Sequence, residues 1–439
     1  MTESFSFDLP SVDDLAVARI GTPIFTSPLV GNGHRFVVDD SAVMVSSDPA
    51  RMQHYLDAGL PIPAFEEAGP RAMLSIDPSK TVAGIVTCGG LCPGLNDVIR
   101  SLTLTLHHTY RVSSVLGFRY GFAGLEPASE FAPIELTPDV VENIHEYGGT
   151  LLGSSRGPRN TPTMVDNLAA LGVNVLFCVG GDGTLKGASA LAAEARRRDL
   201  PIAVVGIPKT IDNDLFWVER SFGFATAVEE AVRAIRSAHA EARGAWNGVG
   251  IVKLMGRHAG FIAAHATLAS NDVNFCLTPE STFTIEGLTD ALWRRLRARH
   301  HAVVVVAEGA GQNILANNDL GFDASGNQRL GDIGTFLRDQ LTSGLSALGL
   351  DLTVKYIDPS YLIRSVTANA FDAEFCLALG QQAVHAAFSG RTDLVIGSWH
   401  NHATHVPIAL ATRVRRSLDL GSEEWQRVLQ TTGQPAHLS

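Results

Sequence analysis

Residues 173–179 read Val-Asn-Val-Leu-Phe-Cys-Val and run straight into Gly180-Gly181-Asp182-Gly183-Thr184. So short and apolar a run suits a strand buried on both faces, the habit of parallel sheets. Glycines then let the chain turn sharply, and residues 185–198 carry a helical pattern. The unit recurs. Strands are expected at 82–88, 112–116 and 202–207, with helices at about 94–107, 137–145 and 164–171. Beyond Asp214 the alternation continues with helices at 222–242, 259–269, 288–299 and 333–348. The strands between them are 250–254, 273–277, 301–307 and 353–357. A helix at 373–389 and a strand at 393–397 close the series. The expected fold is α/β: two Rossmann-like three-layer α/β/α lobes with parallel-rich sheets.

A chain of 439 residues leads one to expect two or three domains. Residues 1–80 are rich in Pro and Asp and lack periodicity, so they read as an extension wrapped on the main body, with a hairpin at 35–45. The two lobes are expected at 81–221 together with 358–439, and at 222–357. Open parallel sheets bind ligands at the carboxyl ends of their strands, which places a cleft between the lobes.

Net charge narrows the function. With 34 Lys plus Arg against 45 Asp plus Glu, the chain carries −11, which argues against non-specific nucleic-acid binding and against an anionic membrane surface. No apolar run reaches the length that crosses a bilayer, and residues 1–20 lack the pattern of a secretory signal. The 5 cysteines are scattered, as in a reduced interior, and the expected location is the cytoplasm.

Chemistry gathers where strands end. The helix after Gly180-Gly181-Asp182-Gly183-Thr184 offers free N–H groups and a positive dipole end to a phosphate, and Asp182 is placed to face a metal carried by phosphates. Residues 88–96, Cys-Gly-Gly-Leu-Cys-Pro-Gly-Leu-Asn, form a second such turn. A zinc site is not expected from two isolated cysteines, and neither a P-loop nor a Gly-x-Gly-x-x-Gly turn follows the first strand. Pro208-Lys209-Thr210-Ile211-Asp212-Asn213-Asp214 ends a third strand. Of two carboxylates so close, one can accept a hydroxyl proton while the other holds it in place, and Lys209 can neutralise a transferring phosphoryl group. Arg156 and Arg159, then Arg257, then Lys355, Tyr356, Asp358, Tyr361 and Arg364 add groups suited to phosphate oxygens. Glu280 follows a strand and could meet a sugar hydroxyl. A tight capped turn or a plain surface loop is the bland reading of each motif. Their shared position at strand ends favours metal-assisted phosphoryl transfer to a phosphorylated alcohol.

In five segments taken in order, 89–96, 180–184, 208–214, 255–260 and 355–364, the sequence resembles the phosphofructokinase family, over about residues 82–397. It looks most like the long branch that includes plant ATP-dependent members. The resemblance implies ATP, magnesium and fructose 6-phosphate, with 81–221 and 358–439 as the nucleotide-binding lobe and 222–357 as the sugar-phosphate lobe. It assigns Asp212 as the base, with Thr210, Lys209 and Arg156 assisting. It puts Gly90, Tyr120, Arg156, Gly181, Asp182, Gly183, Thr184 and Lys186 at the donor, and the metal on Asp182. Around the sugar phosphate it puts Thr210, Asp212, Asp214, Met255, Gly256, Arg257, Glu280, Lys355, Tyr361 and Arg364. It also implies a homodimer or homotetramer.

Donor choice turns on two residues. By the resemblance, pyrophosphate-using members typically carry Asp where this chain has Gly183, and glycine leaves room for a nucleotide's α-phosphate. Lys209 is shared with pyrophosphate users, and long ATP-dependent members combine the two as here, so ATP is expected and pyrophosphate is the alternative. A non-catalytic homologue is disfavoured because Asp182, Asp212 and Asp214 are all present. One departure stands out: Gly248 occupies the position of an interface-crossing Arg in short members.

Overall fold

The computed structural model describes residues 9–127, 130–315, 321–322 and 328–438, so the first eight residues of the expected extension lie outside it. Alternation of side chains along Val173–Gly180 organises the larger lobe. Val175, Phe177 and Val179 join one apolar cluster, with Leu95, Ile99 and Leu102 of the helix Leu95–Leu104 and Leu379 and Ala383 of the helix Ala370–Phe388. Leu176 and Cys178 face the other way, onto Leu185, Ala188 and Leu191 of the helix Asp182–Arg197. Both faces are therefore covered, as a continuous apolar strand requires.

The large sheet has nine strands. Its parallel centre runs Leu394–Trp399, Ala203–Pro208, Val173–Gly180, Val82–Thr87, Ser114–Phe118. Ile134–Glu135 adds antiparallel at one edge. At the other edge come His402–Pro407, Ala64–Glu67 and Ala42–Met44, all antiparallel. The smaller sheet is wholly parallel, in the order Phe275–Leu277, His301–Ala307, Gly248–Leu254, Thr353–Ile357. The helices Phe224–Gly244 and Phe261–Ser270 cover one of its faces, and Ile285–Arg299 and Ile333–Ala347 the other.

Three local expectations are corrected. The hairpin at 35–45 is absent: only 42–44 is extended, and its partner is 64–67, with the capped helix Pro49–Asp57 between them. The extension thus completes the large sheet. It is tied there by Glu66 Oε1, which lies 2.7 Å from Arg391 Nε, 3.4 Å from Arg71 NH2 and 3.0 Å from His405 Nδ1. A helix at 137–145 does not form. Thr137 Oγ1 accepts from the Val140 amide at 3.3 Å, a local turn, and a short 3-10 segment, Ile144–Glu146, follows. Val141 is buried and Ile144 packs against the same core, while Val140 is exposed, so turns place the few apolar side chains of this stretch without a helix. Finally, residues 418–438 pack with the smaller lobe, whereas the division above put them in the larger. Trp425 and Val428 join the cluster under Phe261–Ser270, and Gln434 accepts from the Cys276 amide at 2.6 Å.

Gly248 has a steric explanation within the chain. A Cβ there would stand 2.1 Å from the carbonyl oxygen of Ala242, so no side chain fits at that point. Among the described residues no helix is long and apolar enough to cross a membrane.

Candidate active site

The carboxyl ends of both sheets meet at a pocket of about 820 Å³. On the large-sheet side, Gly181 caps the helix Asp182–Arg197 without a side-chain bond, so first-turn N–H groups face the pocket beside Asp182, Gly183 and Thr184. Gly180 must be glycine because its Cβ would meet Thr184 Oγ1 at 2.2 Å. At Gly183 nothing lies within 4 Å of where a Cβ would stand. Asp182 Oδ2 lies 3.0 Å from Lys186 Nζ and 3.8 Å from Arg415 NH2.

The neighbouring turn holds the loop of Arg156. Asn96 donates to the Tyr147 carbonyl at 3.0 Å and accepts from the Leu151 amide at 2.7 Å. Gly89 donates its amide to the Ser155 carbonyl at 3.2 Å. Arg156 then reaches Gly90, whose Cβ would be 3.3 Å from its NH2. Lys209 joins the two turns: its amide bonds the Gly180 carbonyl at 3.0 Å and its ammonium bonds the Gly90 carbonyl. Burial, with Arg156 and Arg364 nearby, lowers the Lys209 pKa.

Residues 210–214 are held from behind. Asn213, at φ 54°, donates to the Glu219 carbonyl at 3.1 Å and accepts from the Ser221 amide at 2.9 Å. Thr210 Oγ1 donates to Asp214 Oδ1 at 2.5 Å. Asp212 Oδ2 faces the Arg257 amide at 3.5 Å, while Oδ1 is buried without a partner. Burial first, then the negative charges of Asp214 and Glu308, push the Asp212 carboxyl up to about 7.

From the small sheet, Gly248–Leu254 delivers Met255 and Arg257, and Arg364 Nε lies 3.1 Å from Met255 Sδ. The structure therefore gathers Gly90, Arg156, Gly181–Thr184, Lys186, Lys209, Thr210, Asp212, Asp214, Met255, Arg257 and Arg364 around one pocket.

Five expected residues do not line it. Gly256 makes the turn, at φ 127°, with its Cβ direction blocked by the Ala259 carbonyl at 2.6 Å. The ring of Tyr120 packs against Gly153 and Phe131. Glu280 Oε1 accepts from the amides of Gly260 at 3.0 Å and Leu418 at 2.8 Å, bracing the C-terminal segment. Lys355 Nζ stands 4.0 Å from Glu241, and Tyr361 is 82% exposed.

The sequence reading missed Phe122, Ser155, His258, Glu308 and Arg415, all of which line the pocket. Glu308 was open to the rule already applied, since it directly follows the strand His301–Ala307. Arg415 carries no such signal; it arrives through a single bridge between Leu215 and Arg415. Burial pushes the thiols of Cys88 and Cys92 up to about 12, so these cysteines are inert beside the pocket.

Known proteins resemble this chain over most of its length. The family model for phosphofructokinase matches residues 82–387. An ATP-dependent 6-phosphofructokinase of Amycolatopsis methanolica is 46% identical over 97% of this chain and 96% of its own length. The protein named ATP-dependent 6-phosphofructokinase 5, chloroplastic, of Arabidopsis thaliana is 45% identical over 84% of this chain and 69% of its own. The crystal structure of a pyrophosphate-dependent phosphofructokinase from Marinobacter aquaeolei superposes with a TM-score of 0.67 at 22% identity, covering 80% of this chain and 91% of that one. That likeness speaks for the fold.

Proposed function

The chain belongs to the phosphofructokinase family, and from that premise we propose that it is an ATP-dependent 6-phosphofructokinase. The reaction moves a phosphoryl group from ATP to the 1-hydroxyl of fructose 6-phosphate, giving ADP and fructose 1,6-bisphosphate. The observation that carries this reading is the partnerless, buried Oδ1 of Asp212 in a pocket otherwise rich in phosphate-binding groups.

In this reading Asp212 takes the hydroxyl proton on Oδ1, and its raised pKa makes it a stronger base than a solvated carboxylate. Asp214, fixed by Thr210, keeps negative charge beside it and sustains that basicity. Lys209 and Arg156, close together over Gly90, oppose the charge on the transferring group. Arg257 and Arg364 hold the sugar phosphate by forked hydrogen bonds. Gly183 leaves space at the helix N-terminus for a nucleotide, which favours ATP over pyrophosphate.

Magnesium fits Asp182: a hard oxygen donor at the pocket wall suits an ion that takes one or two carboxylates and completes its shell with phosphate and water. Bound there, it supplies neutralisation of the donor phosphates. Lys186 and Arg415, now paired with Asp182, would turn to those phosphates. A closed symmetric dimer or tetramer belongs to the same proposal, supported by the exposed Tyr361 and Leu362 on the short helix Ser360–Ser365 that also carries Arg364.

Product formation with ATP and with pyrophosphate, at matched magnesium, tests the proposal. Turnover with ATP is expected. Absence of turnover with either donor refutes the activity, and turnover with pyrophosphate alone refutes the donor.

A further inference from the structure

Asn213 is the one residue of 210–214 that does not line the catalytic pocket, and it lines a second cavity instead, of about 420 Å³. Such a volume holds a small organic molecule. Phe224, Val228 and Phe371 give it apolar walls, and Arg220, Arg416, Glu219 and Glu424 are its charged lining.

The state of Arg220 is unusual. Its guanidinium is sandwiched between two phenyl rings, 4.2 Å from the centre of Phe371 and 3.9 Å from that of Phe375. Nε is buried without a hydrogen-bond partner, and the negative charges of Asp372 and Glu374 stand near the group. The buried Arg71 and Arg391 are by contrast met by the carboxylates of Glu66 and Asp39. The rings hold the guanidinium and Nε lacks an acceptor, a costly arrangement unless something else accepts from it. Across the cavity Glu424 is engaged by His265 at 2.9 Å, so it does not answer Arg220.

We propose that this cavity is a binding site for a small organic oxyanion, its head on Arg220 and its apolar body against Phe224 and Phe371. Arg220 lies between Glu219 and Ser221, the two residues that hold Asn213. Ser221 also bonds the Thr210 carbonyl. An occupant therefore bears on the backbone that presents Asp212, and the site is regulatory in position.

Phenylphosphonate is a suitable probe, since it joins an oxyanion to a ring and cannot donate its phosphorus group. Calorimetric titration of the full chain needs no turnover, so its outcome is independent of the proposed activity. Saturable binding to the unaltered protein is expected. Arg220→Gln should weaken it by about tenfold or more, the loss of one charge-assisted contact. Arg220→Lys, which keeps the charge and loses the fork, should fall between and serves if the Gln variant melts early. Arg364→Gln, in the catalytic pocket, should leave binding within about twofold. No binding, equal binding by both Arg220 variants, or loss on Arg364→Gln would each overturn the proposal.

Discussion

The backbone amide of Arg257 stands 3.5 Å from Oδ2 of Asp212, joining the turn after the small sheet's Gly248–Leu254 to the loop after the large sheet's Ala203–Pro208. One oxygen of the carboxylate is thereby steadied by the opposite lobe, and the other is left with no partner. The proton acceptor is assembled only when the two lobes sit together, which makes its geometry sensitive to their approach.

Asp212→Asn keeps the shape and removes the basicity. Turnover should fall by about 10²–10⁴-fold, the usual contribution of a positioned base, with little change in KM for the sugar phosphate. Steady-state kinetics check this. A large rise in KM at unchanged kcat would assign Asp212 to binding instead.

The same carboxyl makes a pH prediction for activity. The base acts ionised, and burial holds it protonated up to about pH 7. kcat/KM should therefore decline on the acid side of about pH 7, by about tenfold per unit once well below it. A profile flat between pH 5.5 and 8, at constant ionic strength, would contradict the assignment.

Stability should respond in the opposite sense. In the unfolded chain Asp212 titrates near its ordinary value of about 4, while the folded protein keeps the proton until about pH 7. Between those values the native state binds more protons, so stability declines as pH rises. Asp212→Asn should melt at higher temperature than the unaltered protein at pH 8, reflecting a stability gain on the order of a few kcal/mol, and show no such gain near pH 4. Equal melting differences at both pH values would remove the argument from burial.

Gly183→Asp places a carboxylate into open space at the helix N-terminus. ATP use should drop by at least about tenfold in kcat/KM through charge repulsion, with the fold intact. Kinetics with ATP, beside a melting curve, decide it; unchanged ATP kinetics would show that Gly183 does not shape donor choice.

Gly248→Ala probes the tight approach to Ala242. With 2.1 Å available to the new methyl, the strand or the end of the helix Phe224–Gly244 must shift. A loss of about 1–3 kcal/mol is expected from urea midpoints. Retention of full stability would mean that the backbone yields there at no cost.

Much of this protein could be read from local pattern. The strand Val173–Gly180 and the helix Asp182–Arg197 were legible because a run buried on both faces admits few apolar-to-polar swaps, and because glycine marks the turn between them. The cluster at 208–214 was legible for the same reason: a deeply apolar strand must end in a loop at the cleft. The error at 137–145 came from a good helix start whose apolar residues, Val141 and Ile144, reach the core from turns instead.

Glycine turns, apolar strands and the acids at their ends were settled by near neighbours in the chain, since each depends on contacts a few residues long. Other features required distant segments to meet in space. Glu66 was ordinary until folding set it among Arg71, Arg391 and His405. Glu280 was a pocket residue by its place after a strand, and became a brace once Leu418 returned to it. Arg415 reached Asp182, and Arg220 came to lie between two rings, only through such returns. A side chain's surroundings, and with them its pKa and its unused hydrogen bonds, are set by groups far away in the chain, and no local pattern encodes those.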